Sequence, residues 1–160
     1  MQLAFLFLLL AGPFLILTVA ERWVSGLRIE PVKRARVGLT AFFLFTSLGH
    51  FIRTEEMAMM LPPSVPYSVE LIFITGVFEL LGAIGIWIPR LMKLTGLCLI
   101  LMLICVLPAN IYSALNRIDF GGHADGPTYL LLRVPFQALV IWWTYFSTEQ
   151  KWFQRGAEET

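Results

Sequence analysis

Five polar side chains stand inside or at the edge of long apolar runs in this 160-residue chain: His50, Glu79, Asn110, Arg133 and Gln137. They are its candidates for chemistry. Glu79 is the one charge in the run from Leu71 to Pro89, near its middle. A carboxylate at the centre of a bilayer costs about 2.5–3.5 kcal/mol on insertion scales, so it must face other helices or a wet cavity. Gly76, Gly82 and Ala83 lie three or four residues away on the same helical face, where small residues let neighbouring helices approach. Arg133 stands about one turn inside the run from Tyr129 to Thr148, with Tyr129 one turn before it and Gln137 one turn deeper. This stripe points inward, and its guanidinium either snorkels to the head groups or meets Glu79, directly or bridged. Asn110 follows Pro108 and shares a face with Ser113; His50 closes the run from Val37 to Ile52 on a face with Thr46 and Ser47. An imidazole there titrates near neutral pH and can relay a proton. Each residue also has a structural reading: helix-to-helix hydrogen bonding for Glu79 and Asn110, a solvated cap for His50.

The elements that position these groups follow from composition. The chain is 58% apolar and 14% charged, against about 45–50% and about 25% in an average soluble domain. A soluble enzyme, a nucleic-acid binder, a disordered chain and a disulfide scaffold are all excluded. With a net charge of +1 there is no electrostatic case for a polyanionic partner. The runs Met1 to Ala20, Val37 to Ile52, Leu71 to Pro89, Leu94 to Asn116 and Tyr129 to Thr148 predict five spanning helices, since a span needs about 20 residues. The runs are continuous rather than alternating, which excludes barrel strands. The expected fold is an all-α polytopic bundle forming a single membrane domain over 1–160, with 1–20 as an extra N-terminal span and 37–148 as a four-helix core. Ser68 reads as an N-cap, Pro89 as a stop, and Gly121-Gly122 with Gly126-Pro127 as the break before the last span. No Lys or Arg precedes the first run and Thr18-Val19-Ala20 is a poor cleavage site, so that run reads as an uncleaved helix.

Charge sets the orientation. Arg22, Arg28, Lys33, Arg34, Arg36, Arg90, Lys93, Lys151 and Arg155 fall on one side of five spans, and Arg53, Arg117 and Arg133 on the other. The positive-inside rule puts the N-terminus outside and the C-terminus in the cytoplasm, as expected in a bacterial inner membrane. Trp23, Trp87, Trp142, Trp143, Tyr145 and Trp152 then form the inner aromatic belt, and Tyr67, Tyr112 and Tyr129 the outer one. His50, Glu79, Asn110 and Arg133 belong to the outer half, which predicts an outward-open pocket lined by them and Gln137.

Other groups are set aside. His123 with Asp119 and Asp125 offers three ligands on a Gly-rich loop, better read as solvated turn residues than as a metal site. Cys98 and Cys105 are separated by about 10 Å along one helix and cannot pair within it. No CxxC pair, phosphate loop, dinucleotide fingerprint or paired haem histidines occur in the spans. No metal or cofactor is evident from the residues.

A set of short pieces carries a family resemblance: Gly49-His50-Phe51, Leu61-Pro62-Pro63, Thr75-Gly76 with Glu79-Leu80-Leu81-Gly82-Ala83, Pro89-Arg90, Pro108-Ala109-Asn110-Ile111-Tyr112, and Leu132-Arg133-Val134-Pro135-Phe136-Gln137-Ala138. In order and spacing, from the second span onward, the chain resembles the DoxX-like integral membrane proteins. The resemblance implies a compact four-helix bundle, from which the first helix departs as an addition that packs on the bundle or mediates assembly. It also implies that His50, Glu79, Asn110, Arg133 and Gln137 occupy recurring motif positions. Some members of that family accompany sulfur or thiosulfate oxidation with quinone as acceptor. Others are linked to quinones or oxidative stress, and distant eukaryotic relatives are assembly chaperones. Three functions stay open at this point: a site for a quinone-like lipophilic molecule in a redox-linked system, a non-enzymatic assembly or chaperone protein, and a proton-coupled transporter. The expected partners are the lipid bilayer and either another membrane protein or further copies of the chain.

Overall fold

A computed structural model describes residues 2–24 and 28–148, and every regular element among them is helical. Five long helices, α1 (Gln2–Trp23), α2 (Pro31–Ile52), α4 (Ser68–Gly85), α5 (Met92–Leu115) and α6 (Pro127–Thr148), are accompanied by a one-turn helix α3 (Thr54–Ala58) and a 3₁₀ turn (His123–Asp125). Helices α1, α2, α4 and α5 are long and apolar enough to cross a membrane. Helix α6 has comparable length but carries Arg133, Gln137, Thr144, Ser147 and Thr148. Lys151, Trp152 and Arg155, which the orientation reading used, lie outside the described residues.

Helix α2 is the hub. Phe5 meets the Phe45 ring, and further along α1, Glu21 meets Arg34, so α1 runs antiparallel to α2. A Cβ on Gly38 would collide with the Leu10 carbonyl, so the two backbones are in direct contact. On another side, Ser47 donates to the Gly76 carbonyl (2.8 Å) and Trp87 to Thr40 (2.8 Å), which sets α4 antiparallel as well. Helix α6 crosses the third side through Phe42–Phe136 and Arg36–Ser147 contacts. Leu10, Leu39, Phe43, Ala83, Leu99 and Val140 are part of the common core, which draws on all five long helices. Outside it the helices present apolar side chains, among them Ile16 (68% exposed), Leu81 (60%) and Leu131 (76%). That is the pattern of a surface solvated by lipid, since a soluble monomer rarely shows such a continuous apolar face.

Several boundaries differ from the sequence expectation. Helix α2 starts at Pro31, six residues before Val37. Proline suits the first helical turn because its missing N–H is unpaired there anyway. The charges this adds are satisfied: Arg34 bonds Glu21 (2.5 Å), Thr18 (3.0 Å) and the Ile29 carbonyl (2.8 Å). Ser68 is not the N-cap of α4. Tyr67 is, with φ 55° and no side-chain capping bond. Nor does α4 run to Pro89; the helix ends at Gly85 and turns carry the chain through the proline. Gly121, Gly122 and Gly126 all adopt positive φ, so the expected break before the last span is present, and α6 begins at Pro127.

Candidate functional site

The helices converge around a cavity of about 530 Å³ at the end of the bundle remote from the α1–α2 and α4–α5 connections. The C-terminal halves of α2 and α5, the N-terminal half of α6 and the middle of α4 supply its polar wall. His50, Glu79, Asn110, Arg133 and Gln137 all line it. Four helices thus bring the five sequence candidates together.

Local packing explains the arrangement. Gly76 has no side chain because the His50 Cβ occupies that space: a Cβ at Gly76 would lie 2.6 Å from it. The close approach seats the His50 ring against α4, where Nδ1 lies 3.0 Å from the Ile72 carbonyl and 3.1 Å from the Thr75 hydroxyl. The ring's other nitrogen, Nε2, is 3.8 Å from Glu79 Oε2. This is within ion-pair range but beyond a hydrogen bond. Glu79 is buried at 7% exposure, and its Oε2 has no hydrogen-bond partner.

Across the cavity, Gln137 donates to the Leu103 carbonyl and accepts from Asn110 Nδ2 (3.2 Å). Arg133 Nη2 in turn donates to Asn110 Oδ1 (3.4 Å). Asn110, Gln137 and Arg133 therefore form a chain joining α5 to α6. Of the alternatives expected for Arg133, a direct ion pair with Glu79 is not formed among the described residues: the basic group within 4 Å of Glu79 is His50. The reason is adjacency, because α2 touches α4 at Gly76 whereas Arg133 is tied to Asn110 on α5.

Sequence reasoning missed three contributions. Phe5 and Leu6 of α1 form part of the wall, so the added N-terminal helix packs on the bundle. The α3 segment contributes Met57, Met60 and Leu61, and Arg53 at its start lies 5.3 Å over the Phe120 ring, bridging the two connections at this end. His123 is the third. It is not a solvated turn residue but 2% exposed, with its ring 4.8 Å from Tyr129. Its Nδ1 is 2.7 Å from the Phe120 carbonyl, and its Nε2 is buried without a partner. Burial pushes the imidazole below its usual value of 6.5, with the nearby Arg133 charge adding to the shift and the Phe120 hydrogen bond opposing it. Asp119 and Asp125 are exposed, as read.

The rest of the wall is apolar, with Phe42, Phe45, Met102 and Val106 among its residues. An apolar cleft with a few convergent polar groups is the usual form of a small-molecule site. These groups can accept and donate hydrogen bonds, and the facing His50 and Glu79 can exchange a proton through an intervening group. No curated protein and no solved structure matches the chain. One family model does, over residues 39–148, from within α2 to the end of α6. That segment holds all five candidate residues and His123 and omits α1, and it is more than half of the chain, which therefore belongs to the DUF8561 family, a domain of unknown function.

Proposed function

We propose that this protein is a five-span, DoxX-like protein of a bacterial inner membrane that binds a quinone-like lipophilic molecule in a redox-linked system. The observation that carries the reading is the apolar cavity onto which polar side chains from four helices converge. A ring with polar oxygens and a greasy tail matches such a lining: Phe42, Phe45 and Val106 for the ring and tail, Arg133, Glu79 and the histidines for the oxygens. The polar residues of α6 support the fifth span. Gln137, Thr144, Ser147 and Thr148 are at most 3% exposed, while Leu131, Leu132 and Trp142 face outward. Its polarity is thus turned inward, where lipid does not meet it.

The basic residues support the orientation. Arg22, Arg28, Lys33, Arg34, Arg36, Arg90 and Lys93 lie at the end opposite the cavity, so the positive-inside rule opens the cavity outward. Any electron carrier in this system is a separate membrane protein, and the apolar outer faces offer it, or another copy of the chain, a place to sit.

The test has two parts. Mass spectrometry of the purified chain should find a co-purified quinone-like molecule. Quinones and hydroquinones added to the delipidated protein should raise its melting temperature, because a ligand that binds the folded state stabilises it in proportion to affinity and concentration. No bound molecule and no shift across the panel would favour the assembly-protein reading instead.

A further inference from the structure

The cavity contains two imidazoles whose hydrogen-bonding roles are set by backbone carbonyls. His123 Nδ1 lies 2.7 Å from the Phe120 carbonyl and His50 Nδ1 lies 3.0 Å from the Ile72 carbonyl. A carbonyl oxygen only accepts, so each Nδ1 must carry the proton. The Thr75 hydroxyl beside His50 is consistent with this, because it donates its own proton to Ile72 O (2.8 Å) and offers a lone pair to the ring. In a neutral imidazole with Nδ1 protonated, Nε2 is an acceptor. Burial and the nearby Arg133 charge keep His123 neutral at neutral pH. Its Nε2 is then a buried lone pair with no donor, and Glu79 Oε2 is a second buried polar atom with no partner. Buried acceptors left unpaired are costly, and a bound molecule that brings donors removes that cost.

We propose that the site selects the reduced form of its ligand: an aromatic ring bearing hydroxyl groups, a hydroquinone or related phenol, with an O–H donated to His123 Nε2 and a second polar edge toward His50 and Glu79. A quinone carbonyl has no proton to give and would set lone pair against lone pair at His123. Arg133 does not discriminate, because its N–H groups accept either a carbonyl or a hydroxyl oxygen as partner. The discrimination therefore lies with the imidazoles. A site built to bond a ligand O–H rejects analogues that lack it far more strongly than an apolar pocket rejects a change of one methylene. The inference rests on the quinone-like reading above and adds the redox state to it.

The experiment compares three probes under argon on the full-length protein in detergent: a decyl-substituted para-benzoquinone, its hydroquinone, and the dimethyl ether of that hydroquinone. The hydroquinone should bind at least about tenfold more tightly than either of the others, as expected for one lost hydrogen bond to a buried acceptor. In His123→Gln, whose amide can turn either a donor or an acceptor to the ligand, the ratio of hydroquinone to quinone affinity should fall to about threefold or less. Quinone binding as tight as hydroquinone binding, ether binding as tight as hydroquinone binding, or an unchanged ratio in His123→Gln would each overturn the proposal while leaving the cavity reading in place. Failure of all three probes to bind overturns the cavity reading itself. If His123→Gln does not fold, the ether comparison on the unsubstituted protein still decides the matter.

Discussion

The two ends of the bundle treat buried polarity in opposite ways. At the basic end, Arg36 is 7% exposed yet donates through Nε to the Ser147 carbonyl (3.0 Å) and lies 5.7 Å over the Trp87 ring. Trp87 donates to Thr40, Trp143 to the Ala35 carbonyl, and Thr144, Ser147 and Thr148 each bond back to their own helix. At the cavity end, Glu79 Oε2 and His123 Nε2 in the cavity lining are buried without partners, as are Ser113 Oγ, which does not line the cavity, and Glu56 Oε2, which is ion-paired with Arg53 instead. Among the described residues no such unpartnered atom belongs to the basic end. An unsatisfied buried group costs about 1–3 kcal/mol. Polar groups that serve only to join helices have no reason to carry that cost, as the basic end illustrates. The difference separates polar residues that hold the bundle together from those that await something.

The largest effect should come from breaking the scaffold common to both ends. Gly38→Val puts a branched side chain against the Leu10 backbone, which cannot rotate away as a side chain would. The expected cost is about 3 kcal/mol, at the upper end of ordinary overpacking. Thermal melts should show it, together with loss of a disulfide between cysteines introduced at positions 5 and 45. A melt unchanged from that of the parent would mean that α1 is not held by this contact.

A more selective break is Arg36→Ala. It removes a charged hydrogen bond and the contact with Trp87, for a loss of about 2 kcal/mol. Affinity for the decyl hydroquinone should stay the same, since Arg36 lies at the far end. A parallel loss of affinity would show that the two ends are not separable.

Glu79→Gln sharpens the contrast from the other side. The amide nearly keeps the volume and removes a buried carboxylate, so stability should change by less than about 1 kcal/mol. Hydroquinone affinity should fall about tenfold, equivalent to about 1.4 kcal/mol. Titration calorimetry beside a thermal melt distinguishes the two. A large stability loss with unchanged affinity would make Glu79 a structural residue like those at the basic end.

The smallest effect is that of pH on His123. Its folded value lies below the ordinary 6.5, because burial disfavours the charged ring. The unfolded chain therefore takes up a proton first as pH falls, and the stability present above 6.5 is lost as pH drops through the folded value. The ligand-free melting temperature should fall modestly from pH 7 to pH 5, and His123→Phe should remove part of that fall. An identical pH dependence in the variant would show that His123 contributes nothing to it.

Much of the site was legible because depth is legible. Glu79, Asn110, Arg133 and Gln137 are polar residues within apolar runs, and the cost of polar groups in hydrocarbon turns them inward wherever the neighbouring helices stand. His123 was not legible, since nothing local separates a histidine on a solvated Gly-rich turn from one folded back over a cavity. The contribution of Phe5 and Leu6 was hidden for a related reason: α1 is apolar all round, so its pattern does not say which face meets α2. Tyr67 as the start of α4 was equally hidden, because Ser68 carries the usual capping chemistry and a left-handed tyrosine does not advertise itself.

The sequence by itself determined that the chain is helical, roughly where its long helices run, and which polar groups interrupt apolar runs. These properties depend on the transfer of successive residues from water to an apolar surrounding, which is local and nearly additive along the chain. Only the tertiary structure decided which group meets which. His50 faces Glu79 because Gly76 lets α2 and α4 touch, and Arg133 turns to Asn110 because α5 is the neighbour of α6. Such pairings depend on how helices rotate and approach, which is set by side-chain volumes on two elements at once and is not written in either one alone.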